Sequence, residues 1–204
     1  MGRSESPEHG DYDERYRDRA GQGGPPWEIG GPQPALVALI ARTALDGRIL
    51  DLGCGTGELA LHLAARGQRV TGFDIAAVAI ARAREKAAAR GLAVDFRVAD
   101  ATQLAGSGER FETVFDSGLL HVPDETARVG YRAGLSDICA DGATLHLLTR
   151  AAGHEWGVTE DEIRAAFGPP AWSALTIAPA TIAAQIEGKP LELPAFLCCA
   201  RRTR

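Results

Sequence analysis

The sequence predicts an α/β fold, a mostly parallel sheet with helices on both faces, finished by an antiparallel hairpin. Three observations carry this reading. Short apolar runs alternate with longer helix-period segments from Arg48 to Thr149. The first of these runs passes straight into a glycine-rich turn, Gly53 to Gly57. After Thr159 the alternation stops, and two strand-like stretches are joined by a short polar connection. Alternating strands and helices imply a parallel sheet, because each crossover must return over a face of the sheet. Strands with too little between them for a crossover pair antiparallel. A chain of 204 residues can bury one full core of this kind with little left over.

The elements follow in order. Residues Met1 to His9 are polar and expected to be disordered. Asp11 to Ala20 reads as a charged helix with Tyr12 and Tyr16 on one face. Gly21 to Pro26 is a flexible-then-stiff linker ahead of Trp27. A helix is predicted within Pro32 to Leu45, where Leu36, Val37, Leu39 and Ile40 recur at helical spacing. Strands are then expected at Arg48–Leu52, Arg69–Phe73, Val94–Ala99, Phe111–Asp116 and Ala143–Thr149. Helices are expected at Gly57–Arg66, Ala76–Arg90 and Asp124–Ala140. Thr159 with Glu162 three residues on makes a capping box for a helix ending at Phe167. Trp172–Ala180 and Leu193–Arg201 complete seven strands as the terminal hairpin. The domain division is an N-terminal arm and lid over residues 1–33 and one domain over 34–204.

The stretch Ile49 to Glu58, ILDLGCGTGE, carries the functional signal. Gly53, Gly55 and Gly57 permit positive φ and close approach of a ligand to the backbone. The dinucleotide fingerprint needs a third glycine where this chain has Glu58, and Asp51 precedes the turn. Two carboxylates there would repel a pyrophosphate and suit a ligand bearing ammonium and sulfonium charges. Asp74 closes the second strand, where a carboxylate can accept from both ribose hydroxyls. Asp100 and Ala101 follow the third strand, where a side-chain acceptor beside a backbone N–H can read adenine. Singly, an Asp at a strand end is more often a helix cap or turn former. Three successive strand ends carrying them in order point to S-adenosylmethionine.

Composition excludes several classes. The net charge of −5 leaves no basic footprint for nucleic acid. No apolar run approaches the roughly 18 residues of a membrane span, and no signal peptide opens the chain. Cys54, Cys139, Cys198 and Cys199 form no CxxC pair, which fits reduced thiols in a cytoplasm. Lysine occurs only at Lys86 and Lys189, and the other twenty of the twenty-two basic residues are arginine, a genome bias without chemical meaning. Asp116, Asp141 and His146 make no convincing metal set. There is no GxSxG elbow and no P-loop lysine. DSGLL after the fourth strand lacks the NPPY-type side-chain amide that amino-methylating nucleic acid enzymes use.

With these residues in view, DLGCGTGE, GFDIAAVAIARAR and VADATQL resemble the class I S-adenosylmethionine-dependent methyltransferases, a Rossmann-like fold. PPWEIGGPQPALVALI (Pro25 to Ile40) and FDSGLLHVPD (Phe115 to Asp124) are similar to small-molecule members of the thiopurine, halide/thiol and tellurite-resistance kind and their actinobacterial relatives. The match covers about Tyr12 to Ala166. The resemblance implies that Trp27 lies against the methionine end of the cofactor, where its ring face attracts a sulfonium. It also implies that Ile75 and Ser117 line the cofactor, and that the first helix, with Tyr16, forms a mobile lid over the substrate.

The acceptor is expected at the edge of the fourth and fifth strands. His121 is the candidate base for a protonated acceptor, with a structural loop histidine as the alternative. His154 and Trp156 could wall the acceptor or stand as surface loop residues. The reading is methyl transfer from S-adenosylmethionine to a small thiol, phenol or heteroaromatic, in detoxification or specialised metabolism, by a cytoplasmic monomer or homodimer. The alternatives are a regulatory or non-methylating S-adenosylmethionine-binding protein and a nicotinamide-dependent oxidoreductase.

Overall fold

A computed structural model of the chain describes residues 9–17, 24–120, 125–153, 157–186 and 188–203. The expectation of disorder for Met1 to His9 falls outside them apart from His9, which opens the first helix. The helices are α1 (His9–Tyr16), α2 (Pro34–Ile40), α3 (Glu58–Ala64), α4 (Ala77–Arg90), α5 (Glu125–Ile138) and α6 (Glu160–Ala166). The strands are β1 (Arg48–Leu52), β2 (Arg69–Asp74), β3 (Asp95–Val98), β4 (Phe111–Ser117), β5 (Cys139–Arg150), β6 (Trp172–Ile186) and β7 (Lys189–Arg202). They form a seven-stranded sheet in the order β3-β2-β1-β4-β5-β7-β6. The pairs from β3 to β5 are parallel, and β7 runs antiparallel to both β5 and β6.

Each central strand is apolar on both sides because the sheet is covered on both faces. Leu50 and Leu52 of β1 and Val114 of β4 join one cluster, with Tyr131, Leu135 and Ile138 of α5, Ile163 of α6 and Phe167 just after it. Ile49 and Phe115 turn the other way, against Leu36 and Leu39 of α2, Leu59 and Leu63 of α3 and Ile80 of α4. The chain winds outward from β1 through β2 to β3, then returns to place β4 on the other side of β1. That reversal opens a crevice between the strand ends, the usual place for a ligand in an open α/β sheet.

Helix ends are set by local chemistry. Thr159 and Glu162 make the expected capping box on α6. Gly91 ends α4 with φ of 63°. The α4 N-terminus has no cap of its own, and Asp13 of α1 supplies one from a distance, accepting from the Val78 N–H at 3.0 Å. Gly57 opens α3 with φ of 84°, packed so closely that a Cβ would lie 2.6 Å from the Phe96 ring and 3.0 Å from Ala83.

Several boundaries shift by a residue or two, and three differences bear on the core or the site. The α2 helix stops at Ile40, and Leu45 reaches the core from the following turn. The fifth strand starts early, with Cys139 opposite Phe111 and an irregularity around Gly142 before the ladder resumes at Thr144. The largest difference is residues 181–192, expected as a connection, which instead prolong the hairpin to Ile186 and Lys189. Two docked partners stabilise that extension. The Gln33 side chain donates to the Ala183 carbonyl at 2.9 Å and accepts from the Ala183 N–H at 2.8 Å. The Pro26 carbonyl accepts from the Gln185 N–H at 2.7 Å. Residues 24–33 thereby pair part of the β6 edge, at Ala183 and Gln185, where backbone groups would otherwise be unpaired.

Gly57→Ala places a side chain in both left-handed backbone and filled space. It is expected to lower unfolding stability by about 2–4 kcal/mol, from the backbone penalty and overpacking together. Gly67→Ala, with φ of 81° but nothing within 4 Å of the new Cβ, should cost about half as much. Urea unfolding of the two variants checks this; equal losses would mean the Phe96 contact carries no energy.

Candidate active site

The glycine turn is folded back onto β2 before any ligand is considered. The Gly53 and Cys54 N–H groups both donate to the Phe73 carbonyl, at 2.8 and 2.9 Å. Asp74, one residue on, accepts from the Gly55 N–H through one oxygen and from the Ala76 N–H through the other, both at 2.8 Å. One carboxylate thus fixes the turn and the start of α4 together. Its pKa is raised, by burial first, against these two hydrogen bonds, with Glu28 and Asp13 adding like charge. Gly55 is required sterically, since a Cβ there would lie 2.8 Å from the Tyr16 hydroxyl.

Above the turn lies a cavity of about 630 Å³ at the carboxyl ends of the parallel strands. Of the residues singled out by sequence, Tyr16, Trp27, Asp51, Gly53, Gly55, Asp74, Ile75, Asp100, Ala101 and Ser117 line it. Gly57, expected to contact a ligand, is instead placed against Phe96 and Ala83, where tight helix–strand packing needs a glycine. His121, His154 and Trp156 lie outside the described residues.

The electrostatic reading of the turn needs correction. Glu58 does not present a bare charge to a ligand. Lys86 meets its carboxylate at 2.8 Å and Arg90 at 3.1 Å. Burial opposes its ionisation, but these partners outweigh that and hold its pKa below the ordinary value. No local pattern brings Lys86 there, because it lies one crossover away on α4. Asp51 does remain a buried carboxyl at the site, accepting from the Ala60 N–H at 3.0 Å. Burial raises its pKa to about 7, with the charges of Asp74 and Asp116 adding to the effect.

Tyr16 lines the cavity while being largely buried. It is 4% exposed, packed with Ala76 and Ala79 at the start of α4, and its hydroxyl accepts from the Trp27 indole N–H at 2.8 Å. Burial raises its pKa, and the Asp74 carboxylate adds to that. Asp100 accepts from the backbone and hydroxyl of Thr102 at 2.8 and 2.7 Å and from Gln103 at 2.8 Å, the turn-forming alternative realised within the cavity lining.

Sequence reasoning missed several lining residues. Glu28 accepts from Thr56 at 2.6 Å, and Lys86 donates to that same hydroxyl at 2.5 Å, so residues 24–33 are tied to the turn by a polar chain. Ile182, Ala184, Ile186 and Leu193 form an apolar wall from the prolonged hairpin, beside Arg150 at the end of β5. The period-two spacing of Ile182, Ala184 and Ile186 was the available signal. Asp116 does not line the cavity: it is buried, accepts from the Leu119 N–H at 2.7 Å and from the Tyr131 hydroxyl, and has its pKa pushed up to about 6 by burial. It holds the loop that presents Ser117 and Leu119. Buried His146 sits 3.2 Å from Cys199, its pKa lowered to about 4 by desolvation. Among the described residues no His, Cys, Asp and Glu cluster could hold a metal ion.

A family model described as a methyltransferase domain matches residues 49–142, the β1-to-β5 core that carries the turn, Asp74 and Asp100. A structure solved for the conversion of a disulfide bond into a thioacetal group during echinomycin biosynthesis is 36% identical, with a TM-score of 0.88 over 96% of this chain and 93% of that one. The chain belongs to the class I S-adenosylmethionine-dependent methyltransferases. A 2-heptyl-1-hydroxyquinolin-4(1H)-one methyltransferase of Mycobacteroides abscessus is 42% identical over 125 residues, which are 61% of this chain and 55% of that protein. This methyltransferase chain spans about half the length of the first curated relatives it matches. Magnesium protoporphyrin IX methyltransferase of Synechocystis, solved with bound S-adenosylmethionine, is 25% identical with a TM-score of 0.60, over 83% of this chain and 76% of that one. Among the described residues no helix is long and apolar enough to cross a membrane.

The Asp51 carboxyl gives a pH prediction. Its folded pKa of about 7 lies above the roughly 3.9 of an unfolded Asp, so the folded state holds a proton that the unfolded state has lost. Its contribution is full below pH ~4 and is lost as the pH rises through about 7. Asp51→Asn is therefore expected to gain stability relative to the parent between pH 4 and 7. Urea unfolding across that range measures it; a constant difference would place the Asp51 pKa near its ordinary value.

Proposed function

We propose that this protein catalyses methyl transfer from S-adenosylmethionine to a small-molecule thiol, phenol or heteroaromatic acceptor. The observation that carries the proposal is one cavity with two unlike ends. The end over β1, β2 and β3 is lined by backbone and carboxylates, and the end over β5, β6 and β7 is largely apolar. A polar nucleoside and an apolar acceptor can thus meet in one crevice.

The residues fit the cofactor. Each Asp74 oxygen accepts one backbone N–H, leaving acceptor capacity for two ribose hydroxyls. Asp100 and Ala101 line the cavity one strand further out, which supports assigning them to the adenine. Gly53 and Gly55, both at positive φ, line the cavity with main chain, and the un-ionised tendency of Asp51 is what a buried carboxyl shows before a cation arrives. Trp27, held edge-on to Tyr16, offers an aromatic wall for a sulfonium. When bound, the cofactor supplies a methyl carbon already activated for displacement. The protein then has to align the acceptor in line with that carbon and exclude water. The wall of Ile182, Ala184 and Leu193 with Leu119 does the excluding, and the loop held by Asp116 sets one side of the approach. His121 is the base for an acceptor that arrives protonated.

One relative is named for a hydroxyquinolone substrate and one similar structure for sulfur chemistry, which supports this choice of acceptor class. The described cysteines are all free, which suits a reducing cytoplasm.

Titration calorimetry with S-adenosylhomocysteine, followed by a turnover panel of thiols, phenols, N-heterocycles and halides, tests the proposal. Binding with methylation of at least one organic acceptor is expected; no binding refutes it. Asp74→Ala should weaken binding by about 1.5–3 kcal/mol, the cost of losing hydrogen bonds to a charged group. Unchanged affinity would leave Asp74 as a turn residue alone.

A further inference from the structure

The sheet register places charge in the acceptor half of the cavity. Arg150 pairs with Ala195, and Ala195 with Ala180. Leu193 stands opposite Ile182 two residues along, and Ala184 and Ile186 continue that strand. Directly opposed residues share a face of an antiparallel pair, as do residues two apart in one strand. Arg150, Leu193, Ile182, Ala184 and Ile186 therefore project from one face, and all of them line the cavity. With strands ~4.8 Å apart, the β5 and β6 axes on either side of β7 are on the order of 10 Å apart, and the small Ala195 lies between Arg150 and Ala180 on the shared face.

The Arg150 backbone is rigidly held. Its carbonyl accepts from the Val158 N–H at 3.0 Å, and the next residue, Ala151, donates to the Pro194 carbonyl at 3.0 Å. The acidic lining residues lie elsewhere. Asp51 and Glu58 flank the turn, Asp74 and Asp100 follow β2 and β3, and Glu28 is bonded to Thr56. The other cationic lining residue, Arg15, lies over the Tyr12 and Trp27 rings. The cavity is thus acidic over β1 to β3 and presents a guanidinium beside an apolar wall over β5 to β7.

The geometry points to an acceptor that binds as an anion: an apolar, ring-bearing molecule whose ionised oxygen or sulfur is held by Arg150 against the hairpin wall. This rests on the methyl-transfer reading and names its substrate class. A guanidinium has five N–H donors in a plane, so it can hold an oxyanion or thiolate while keeping a contact to the protein. The acceptor has lost its proton to water before binding. Its lone pair forms the bond to the methyl carbon as the carbon–sulfonium bond breaks, and anion plus cation give a neutral ether or thioether and the neutral sulfide product. Such an acceptor needs no base on the protein. Acceptors mostly ionised at neutral pH are preferred over equally apolar neutral ones.

The test uses 4-nitrophenol, whose ionised form is read by its visible absorbance, with the full chain saturated in S-adenosylhomocysteine. The bound probe should ionise at a pH lower than in water by about one pH unit, as a cation alongside produces. Arg150→Gln should abolish that shift and weaken phenolate binding at least tenfold, Arg150→Lys should keep part of it, and neither should change S-adenosylhomocysteine affinity more than twofold. A bound probe that ionises as in water, a shift that survives Arg150→Gln, or no binding up to the solubility of the probe overturns the inference. If S-adenosylhomocysteine binds and methylation proceeds without preference for ionised acceptors, this inference alone falls. If the parent protein fails to bind S-adenosylhomocysteine, the methyl-transfer reading falls with it.

Discussion

The Asp74 carboxylate is the constraint on which the site depends. By accepting from Gly55 and Ala76 it ties the loop after β1 to the loop after β2, and so sets the angle at which α3 and α4 leave the sheet. Neither helix has a side-chain cap from its own N-cap residue, so the carboxylates around them supply the missing acceptors. Asp51 takes the Ala60 N–H at the start of α3, and Asp13 takes the Val78 N–H at the start of α4. Buried carboxylates are costly unless hydrogen-bonded, and here their raised pKa values record the part of that cost which hydrogen bonds do not offset. A cationic ligand would complete the balance.

The second organising feature is the way residues from the start of the chain finish the site. Gln33 and Pro26 pair part of the β6 edge, Glu28 reaches Thr56 and Lys86, and Trp27 hydrogen-bonds Tyr16. These contacts join three places far apart in sequence: the hairpin, the glycine turn and the first helix. The cavity is therefore roofed by a segment that contributes little to the apolar core yet is fixed by directional polar bonds.

Charge is sorted along the sheet. Carboxylates gather at the strand ends of β1, β2 and β3, while the far wall is apolar with Arg150 at its margin. The division follows the topology: the βα units on one side of the switch point supply loops with Asp and Gly, and the antiparallel hairpin supplies alternating aliphatic side chains. One crevice can then hold a cation-bearing nucleoside and an apolar partner without either crossing the other's surface.

The parallel sheet, its helices and the polar half of the cavity were legible in the sequence, because they depend on local signals. The period of apolar residues sets each element, positive-φ turns call for glycine, and an Asp at a strand end lies near its own turn. Gly53, Gly55, Asp74 and Asp100 could be placed for that reason. Lys86 against Glu58, Asp13 capping α4 and Gln33 on Ala183 could not. Each joins residues separated by a crossover or by most of the chain, and no local periodicity specifies which distant groups will meet. The sequence by itself determined the fold class and most of the residues that line the polar half of the cavity; the tertiary structure alone decided which charges are neutralised, which glycine serves packing, and which side chains form the apolar wall.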